Sequence, residues 1–180
     1  MAPTGPTLIR PSMEADIGAI TEIYQFHVRT GSGTFEVDAP GPDEMRRRRA
    51  DVTSKDLAWL VAERAGHVKA YAYANYFRPR PAYRFCLEDS LYVASDALGQ
   101  GLGRVLLAEL LARCEALGAR QMLAVIGDSA NASSIALHRA LGFEAAGQLR
   151  AAGWKFDRWL DVVLMQKALG EGSTSSPAPP

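Results

Sequence analysis

Three glycines at alternating positions, Gly99, Gly101 and Gly103, separate an apolar segment ending in LYV from a segment of helical periodicity. Glycine weakens regular structure, so the cluster predicts a loop whose backbone is approached closely by another group. A strand, a glycine loop and a helix start, in that order, favour a phosphate ligand. The N–H groups of such a loop point toward one place. The start of the helix adds a partial charge of about +0.5 there. The alternative is a glycine-rich turn that holds no ligand.

Spacing excludes the two commonest phosphate-binding loops. A dinucleotide fingerprint needs G-x-G-x-x-G, but the sixth position counted from Gly99 is Arg104, and counted from Gly101 it is Leu106. A P-loop needs Gly-Lys followed by Ser or Thr, and the sequence contains no such triplet. The segment therefore predicts a phosphate site of another type.

Composition excludes several classes of partner. The 20 basic and 20 acidic residues cancel, so no net field draws the chain to nucleic acid or to a membrane surface. The run Arg46–Arg49 would spread around a helix, and no apolar run approaches the roughly 20 residues of a membrane span. Without a secretory leader, Cys86 and Cys114 are expected to be reduced, and the histidines show no metal-ligand spacing. We expect a cytoplasmic protein without a metal.

The hydrophobic patterns predict one domain over residues 1–169 and a disordered tail over 170–180. An amphipathic helix comes first, a second helix can be capped by Asp43, and two apolar runs around a turn at Gly66 form a β-hairpin. Strands then alternate with helices up to a final strand region that starts at Trp154. This order predicts a mixed α/β fold around one sheet.

Two motifs give the chain a resemblance to the GNAT superfamily of acetyl-CoA-dependent N-acetyltransferases. The family's phosphate signature, Gln/Arg-x-x-Gly-x-Gly/Ala, is matched by 98–103 except at its first position, where Leu98 replaces the usual polar residue. A second signature is matched by Asn131, Ser134 and the Leu-Gly-Phe of 141–143. The segments TFEVDAPGPDEM, RPRPAYRFCLEDSLYV and AAGWKFDRWLDVVLMQ are similar to the phosphinothricin and methionine sulfoximine acetyltransferase branch.

The resemblance implies a fold and a reaction. The fold would be the GNAT acyl-CoA N-acyltransferase fold, a mostly antiparallel twisted sheet flanked by helices, in a homodimer. Acetyl-CoA would be the cosubstrate, and the α-amino group of a small amino-acid analogue would attack the thioester directly. Glu88 matches the family's catalytic carboxylate and would be the general base, unless it is a solvated residue of a strand. His138 stands where many relatives carry the tyrosine that protonates the thiolate, and it can equally be a core histidine.

The resemblance also implies binding residues. The cofactor residues would be Leu91, Tyr92, Val93, Gly99, Gln100, Gly101, Leu102, Gly103, Arg104, Asn131 and Ser134. Among them, the N–H of Val93 is the candidate donor to the oxyanion. The substrate residues would be Arg78, Arg80, Phe35, Tyr83 and Glu88, since two arginines can hold a carboxylate or phosphinate through paired N–H groups. Lys155 and Trp159 are further candidates for the pocket or the dimer interface.

Two other functions fit the same motifs. One is acetylation of a different amine, such as a protein N-terminus, a polyamine or an antibiotic. A protein substrate would need an open, acidic groove, whereas the small acidic substrate predicts dependence on Arg78. The other is a non-catalytic regulator that binds acetyl-CoA, which would keep the glycines but would have no need of Glu88.

Overall fold

The computed structural model describes residues 5–177, which form four α-helices, three short 3-10 helices and seven strands. In chain order the elements are β1 (Leu8–Pro11), α1 (Ile17–Thr30), α2 (Pro42–Thr53), β2 (Trp59–Arg64), β3 (His67–Tyr76), β4 (Cys86–Val93), α3 (Leu102–Ala116), β5 (Gln121–Gly127), α4 (Ala132–Ala140), β6 (Glu144–Lys155) and β7 (Arg158–Ala168). The strands form one sheet in the order β1-β2-β3-β4-β5-β7-β6. Only the β4–β5 pair is parallel among the pairs of this sheet, which confirms the mixed, mostly antiparallel α/β prediction.

Local sequence explains the first elements. The apolar positions of α1 recur every three or four residues and are buried as predicted: Ile17, Ile20, Ile23, Tyr24 and Val28. The β2–β3 hairpin turns at Ala65 and Gly66, whose φ angles of 49° and 77° are those of a two-residue turn that matches the twist of the strands. Both features are therefore set by residues that are close together in sequence.

The helices cover opposite faces of the sheet. Tyr92 of β4 packs edge-on against Tyr24 of α1, with ring centroids 4.8 Å apart. Its neighbour Leu91 points the other way, toward Gly103 in the first turn of α3. Because successive side chains of a strand alternate between faces, β4 has an α1–α2 face and an α3–α4 face.

The second helix differs from the sequence prediction at its start. It begins with Pro42 after Gly41, so Asp43 lies in its first turn and is not the cap; Pro is favoured there because the first helical N–H needs no intrahelical acceptor. The arginines 46–49 diverge to separate partners: Arg46 to Glu14 and Asp43, Arg47 to Glu44, Arg48 to Glu36 and Glu44, and Arg49 to Ser12. They form no basic stripe, as the helical spread predicts.

The last part of the chain is more regular than predicted. A long hairpin of β6 and β7 replaces the single strand region expected from Trp154. In the segment predicted to be a disordered tail, residues 170–175 form turns and bends in which the Gly172 N–H donates to Leu169 O, and residues 178–180 lie outside the described residues. Among residues 5–177, none of the helices is both long and apolar enough to cross a membrane.

Candidate active site

The gap between β4 and β5 is the centre of the candidate site. These parallel strands pair as far as Asp89↔Ala124, and β4 then runs on to Val93 beside β3. The Ala94 N–H donates to β3, so the alternation of the ladder directs the N–H groups of Leu91 and Val93 away from β3 and into the gap. Such an edge can receive an extended ligand through backbone hydrogen bonds.

A cavity of about 820 Å³ opens at this gap. Its wall contains these residues predicted from the sequence: Phe35, Glu88, Leu91, Tyr92, Val93, Gly99, Gln100, Gly101, Leu102, Gly103, Arg104, Asn131, Ser134 and His138. The predicted substrate residues Arg78, Arg80 and Tyr83 are not part of this wall. One cavity thus joins the predicted base to the predicted cofactor loop.

The Glu88 carboxyl lies on the α1–α2 face of β4, directly opposite Asn75 of β3. Burial raises its pKa above the usual value, the charge of Arg78 lowers it, and repulsion from Asp89 raises it again. The net shift is upward. A carboxylate with a raised pKa is a stronger proton acceptor near neutral pH, which is what a general base requires.

Asp89 and His138 form a buried pair on the opposite face. The His138 Nε2 lies 3.0 Å from Asp89 Oδ2, and the Nδ1–H donates to Ser134 O at 2.8 Å. Burial lowers the pKa of His138, but the hydrogen bond and charge of Asp89, together with Ser134, outweigh it and raise that pKa. The pair therefore holds a proton inside the cavity wall. Both ring nitrogens are engaged, so His138 can release a proton only by exchanging one of these hydrogen bonds.

The glycine loop is shaped by backbone conformation. Gly99 and Gly101 have φ angles of 71° and 79°, in the left-handed region that side chains disfavour. Gly103 is different, because an added Cβ would lie 3.3 Å from both Leu91 and Leu137. Gly101 precedes α3 without a side-chain cap, so the first N–H groups of that helix face the cavity side of the loop. Backbone N–H groups beside a helix start are the geometry that the spacing predicts for an anion site.

Several predicted cofactor residues also hold the fold together. The Gln100 side chain accepts a hydrogen bond from Arg64 and donates one to Asp96 O, which fixes the loop. Asn131 caps α4 by accepting from Ser134 N at 3.3 Å, and its Nδ2 donates to Gly127 O at 3.5 Å. Leu98, which replaces the family's polar residue, is 52% exposed at the cavity edge.

The predicted arginine clamp is not assembled. The Arg78 guanidinium stacks on Phe77 at 4.2 Å and donates to Phe77 O, and Arg80 is exposed. Tyr83 packs edge-on against Phe77. Arg78 acts on the site through its charge, which lowers the pKa of Glu88.

His27 is a cavity residue that the sequence reasoning did not assign. Its ring Nε2 lies 2.8 Å from Val93 O, so this nitrogen donates to the carbonyl at the end of β4. Burial lowers the pKa of His27, which keeps the ring neutral and leaves the proton on Nε2 for this bond. A single histidine in an amphipathic helix has no spacing that could have marked it.

The acetyltransferase (GNAT) family model matches residues 20–143. A phosphinothricin N-acetyltransferase of Alcaligenes faecalis is 53% identical over 169 residues, covering 94% of this chain and 86% of the relative. An L-methionine sulfoximine/L-methionine sulfone acetyltransferase of Pseudomonas paraeruginosa is 40% identical, over 88% of this chain and 92% of the relative. A crystal structure of a GNAT superfamily phosphinothricin acetyltransferase from Sinorhizobium meliloti, in complex with AcCoA, superposes with a TM-score of 0.93 at 48% identity, over 96% of this chain and 93% of that one.

Proposed function

The chain belongs to the acetyltransferase (GNAT) family, and we propose that it moves the acetyl group of acetyl-CoA to the α-amino group of a small amino-acid analogue. The substrate class is that of phosphinothricin, methionine sulfoximine and methionine sulfone. The observation that carries the proposal is one cavity with Glu88 on one face of β4 and the glycine loop and His138 on the other. Relatives of 53% and 40% identity that carry these substrate names support the class.

The cavity fits acetyl-CoA at two places. The left-handed glycines Gly99 and Gly101 and the uncapped start of α3 present backbone N–H groups to a diphosphate. The N–H groups of Leu91 and Val93 face the gap, where an extended pantetheine arm can pair with β4. When bound there, acetyl-CoA supplies a thioester as the acyl donor.

The residues divide the proton transfers between the two faces. Glu88 accepts a proton from the acceptor ammonium, directly or through water, and its raised pKa suits that step. The Val93 N–H donates to the oxygen that becomes negative as the amine attacks. His138, held by Asp89, supplies a proton to the departing thiolate on the other face. As the C–S bond breaks, the attacking nitrogen gives its second proton to water, and His138 takes a proton back from water. The products are an amide and free CoA.

The acceptor would lie on the Glu88 face of the cavity. Phe35 and Ser90 lie in the same wall, and the exposed Arg78 is near enough to affect the pKa of Glu88. We propose that the Arg78 guanidinium leaves Phe77 when an acidic substrate enters and pairs with its carboxylate or phosphinate. Arg80 and Tyr83 are then residues of the rim.

Release of CoA, followed with a thiol reagent, tests the reaction. The acceptor panel contains L-phosphinothricin, L-methionine sulfoximine, L-methionine sulfone, spermidine and a basic peptide, and each is offered to the wild type and to Glu88→Gln. We expect turnover of the three amino-acid analogues that collapses in the variant. Faster turnover of the peptide or of spermidine would show that the substrate is a protein or a polyamine and not an amino-acid analogue. Binding of acetyl-CoA with no turnover of any amine would favour the alternative that the chain is a non-catalytic regulator.

We also propose that the protein is a homodimer formed through the β6–β7 hairpin. Strand β6 is one of the two edge strands of the sheet, and the hairpin exposes Leu149, Trp154, Phe156 and Trp159 by 53%, 54%, 50% and 63%. An open edge with large apolar side chains commonly marks an association surface. Light scattering after size exclusion should give about twice the chain mass, and Trp154→Ser/Trp159→Ser should give one chain mass. A monomeric wild type at micromolar concentration would rule this out.

A cytoplasmic location is proposed as well, supported by the free cysteines Cys86 and Cys114, which a reducing compartment preserves. The proposed activity would convert phosphinothricin to its N-acetyl form and so confer herbicide resistance. Expression of the wild type in a phosphinothricin-sensitive host is expected to raise the tolerated concentration, and expression of Glu88→Gln is not. Equal tolerance in both strains would contradict the assigned base.

A further inference from the structure

Lys155, at the end of β6, is a buried cation outside the cavity wall. Its side chain reaches the loop between α1 and α2, where the ammonium donates to Gly31 O and to Thr34 O, both at 2.8 Å. The residue is 5% exposed, and burial lowers its pKa. Placing an ammonium there costs solvation, and the two carbonyls that it joins belong to the loop that carries Phe35.

The Phe35 ring rests on two glycines of the sheet. An added Cβ at Gly153 of β6 would overlap the ring, and one at Gly127 of β5 would lie 3.0 Å from it and 2.5 Å from Ser32 O. Neither site has room for a larger residue while the loop keeps this position. The 31–35 loop is therefore fixed against β5 and β6 by the glycines at 127 and 153 and by the ammonium of Lys155.

This loop borders the acceptor side of the cavity. The register pairs Glu88 with Leu123, so Leu123, Val125 and Gly127 of β5 share the Glu88 face. Phe35 packs over the last of them and lines the cavity. The ring is therefore an end wall on the face where the proposed acceptor lies, away from the glycine loop.

We propose that Lys155 is a positioning residue for substrate specificity: it holds the 31–35 loop so that Phe35 limits the length of the acceptor side chain. This inference rests on the proposed function, because it needs an amino-acid acceptor on the Glu88 face. Lys155 touches no substrate and acts through Phe35. Its loss lets the Phe35 ring withdraw and lengthens that end of the cavity.

The test compares acceptors of graded length in the wild type and in Lys155→Met, which keeps the length of the side chain and removes its donors. Lys167→Met, the same change in β7 outside the cavity wall, is the matched control. The ratio of kcat/KM for L-methionine sulfone to that for L-ethionine sulfone is expected to fall about tenfold in Lys155→Met, through the acceptor KM. The KM for acetyl-CoA should stay within about twofold. A purely structural defect would lower both acceptors alike, and that result overturns the proposal.

A double-variant cycle shows whether the effect passes through Phe35. Phe35→Leu should lower the same ratio of kcat/KM values, and adding Lys155→Met to it should cause little further change. Independent, additive effects of the two substitutions would contradict the inferred connection. Phe35→Leu also provides a specificity measurement if Lys155→Met does not fold.

Hydrogen exchange separates failure of this inference from failure of the proposed function. The amides of Gly31, which donates to His27 O, and of Glu36, which donates to Thr34 Oγ1, are expected to exchange at least tenfold faster in Lys155→Met than in the wild type or in Lys167→Met, whether or not an acceptor reacts. If the wild type acetylates none of the amino acids, the proposed function fails, and a specificity role for Lys155 fails with it. If turnover occurs but exchange and selectivity are both unchanged, only the inference about Lys155 is wrong.

Discussion

Glu88 and Asp89 are adjacent carboxylates of one strand, yet their surroundings differ in every respect that matters for chemistry. Glu88 faces the α1–α2 side at the cavity, where burial raises its pKa and the exposed Arg78 is the cation whose charge opposes that shift. Asp89 faces the α3–α4 side and is paired with His138, with side chains 2% and 6% exposed. Alternation of the strand separates them, so they cannot act as a carboxylate pair.

Under the proposed mechanism, this difference lets one strand serve both ends of the acetyl transfer. A base for the incoming amine needs a carboxylate that can exchange protons with the cavity, which Glu88 provides by being only half buried. A group that holds a proton for the leaving thiolate needs a buried partner, which Asp89 gives to His138. The gap between β4 and β5 opens one cavity to both faces of the sheet.

Exchange of Glu88 for glutamine should produce the largest effect, and in opposite directions for activity and stability. Loss of a general base lowers kcat by about 10²- to 10⁴-fold. The pKa of Glu88 is raised by folding, so its ionisation costs stability once the pH exceeds the ordinary value of 4.5. Glu88→Gln should therefore increase the free energy of unfolding at neutral pH and change it less below that value. Initial rates and urea titrations at both pH values measure this.

Glu22→Gln, an exposed change in α1, is the control for this prediction and should alter neither quantity. Full activity in Glu88→Gln would remove the base from the mechanism. A variant that is both inactive and less stable would mean that Glu88 supports the fold, and the contrast with Asp89 would disappear.

Removal of Asp89 should give the second largest effect, now on stability. Asp89→Leu leaves the His138 imidazolium buried without its counter-ion, a change that typically costs about 3–5 kcal/mol. The folded protein raises the pKa of His138, so the pair's contribution is complete below 6.5 and is lost as the pH rises through the raised value. The difference between wild type and variant in urea unfolding should therefore shrink with increasing pH.

The double variant Asp89→Leu/His138→Leu sharpens this result. Replacing both members by apolar residues removes the unpaired charge, so much of the stability should return, while activity stays low if His138 supplies the proton. A loss below about 1 kcal/mol in Asp89→Leu would contradict the buried ion pair. Full activity of the double variant would assign the thiolate proton to another group.

The sequence marked single residues on both faces of β4 as candidates, but it did not record the contacts between them. The family motif marks Glu88, His138 and the glycines, and alternation alone places Asp89 on the other side of the strand. The bond between Asp89 and His138 joins residues 49 positions apart, and no local pattern records such a distance. The sequence did not predict a role for His27 for the same reason, because its hydrogen-bond partner is a backbone carbonyl 66 positions away.

Exposure explains the other differences. Strand β6 was missed over residues 144–153 because nearly all of them are exposed, so the sequence carries no alternation of apolar and polar residues there. Arg78 and Arg80 have the chemistry of an anion clamp, but whether exposed arginines converge depends on a ligand that a motif does not contain. Elements with a buried face, such as α1 and the β2–β3 hairpin, were predicted correctly.

The smallest effect is expected at the glycine loop, on the cofactor side of the comparison. Gly101 has a φ of 79°, so Gly101→Ala should cost about 1–2 kcal/mol of stability through backbone strain. Strain there also displaces the N–H groups that start α3, so the KM for acetyl-CoA should rise several-fold. The acceptor KM should not change, because the proposed acceptor site is on the Glu88 face.

Gly118→Ala separates strain from binding. Gly118 has a similar φ of 88° at the end of α3, outside the cavity wall, so its substitution should cost the same stability without changing either KM. Steady-state kinetics with each substrate varied in turn, beside thermal unfolding of both variants, make the comparison. If Gly101→Ala raised the acceptor KM as much as the acetyl-CoA KM, the two faces of β4 would not bind separate substrates. The proposed separation of an acceptor side at Glu88 from a cofactor side at Asp89 would then be wrong.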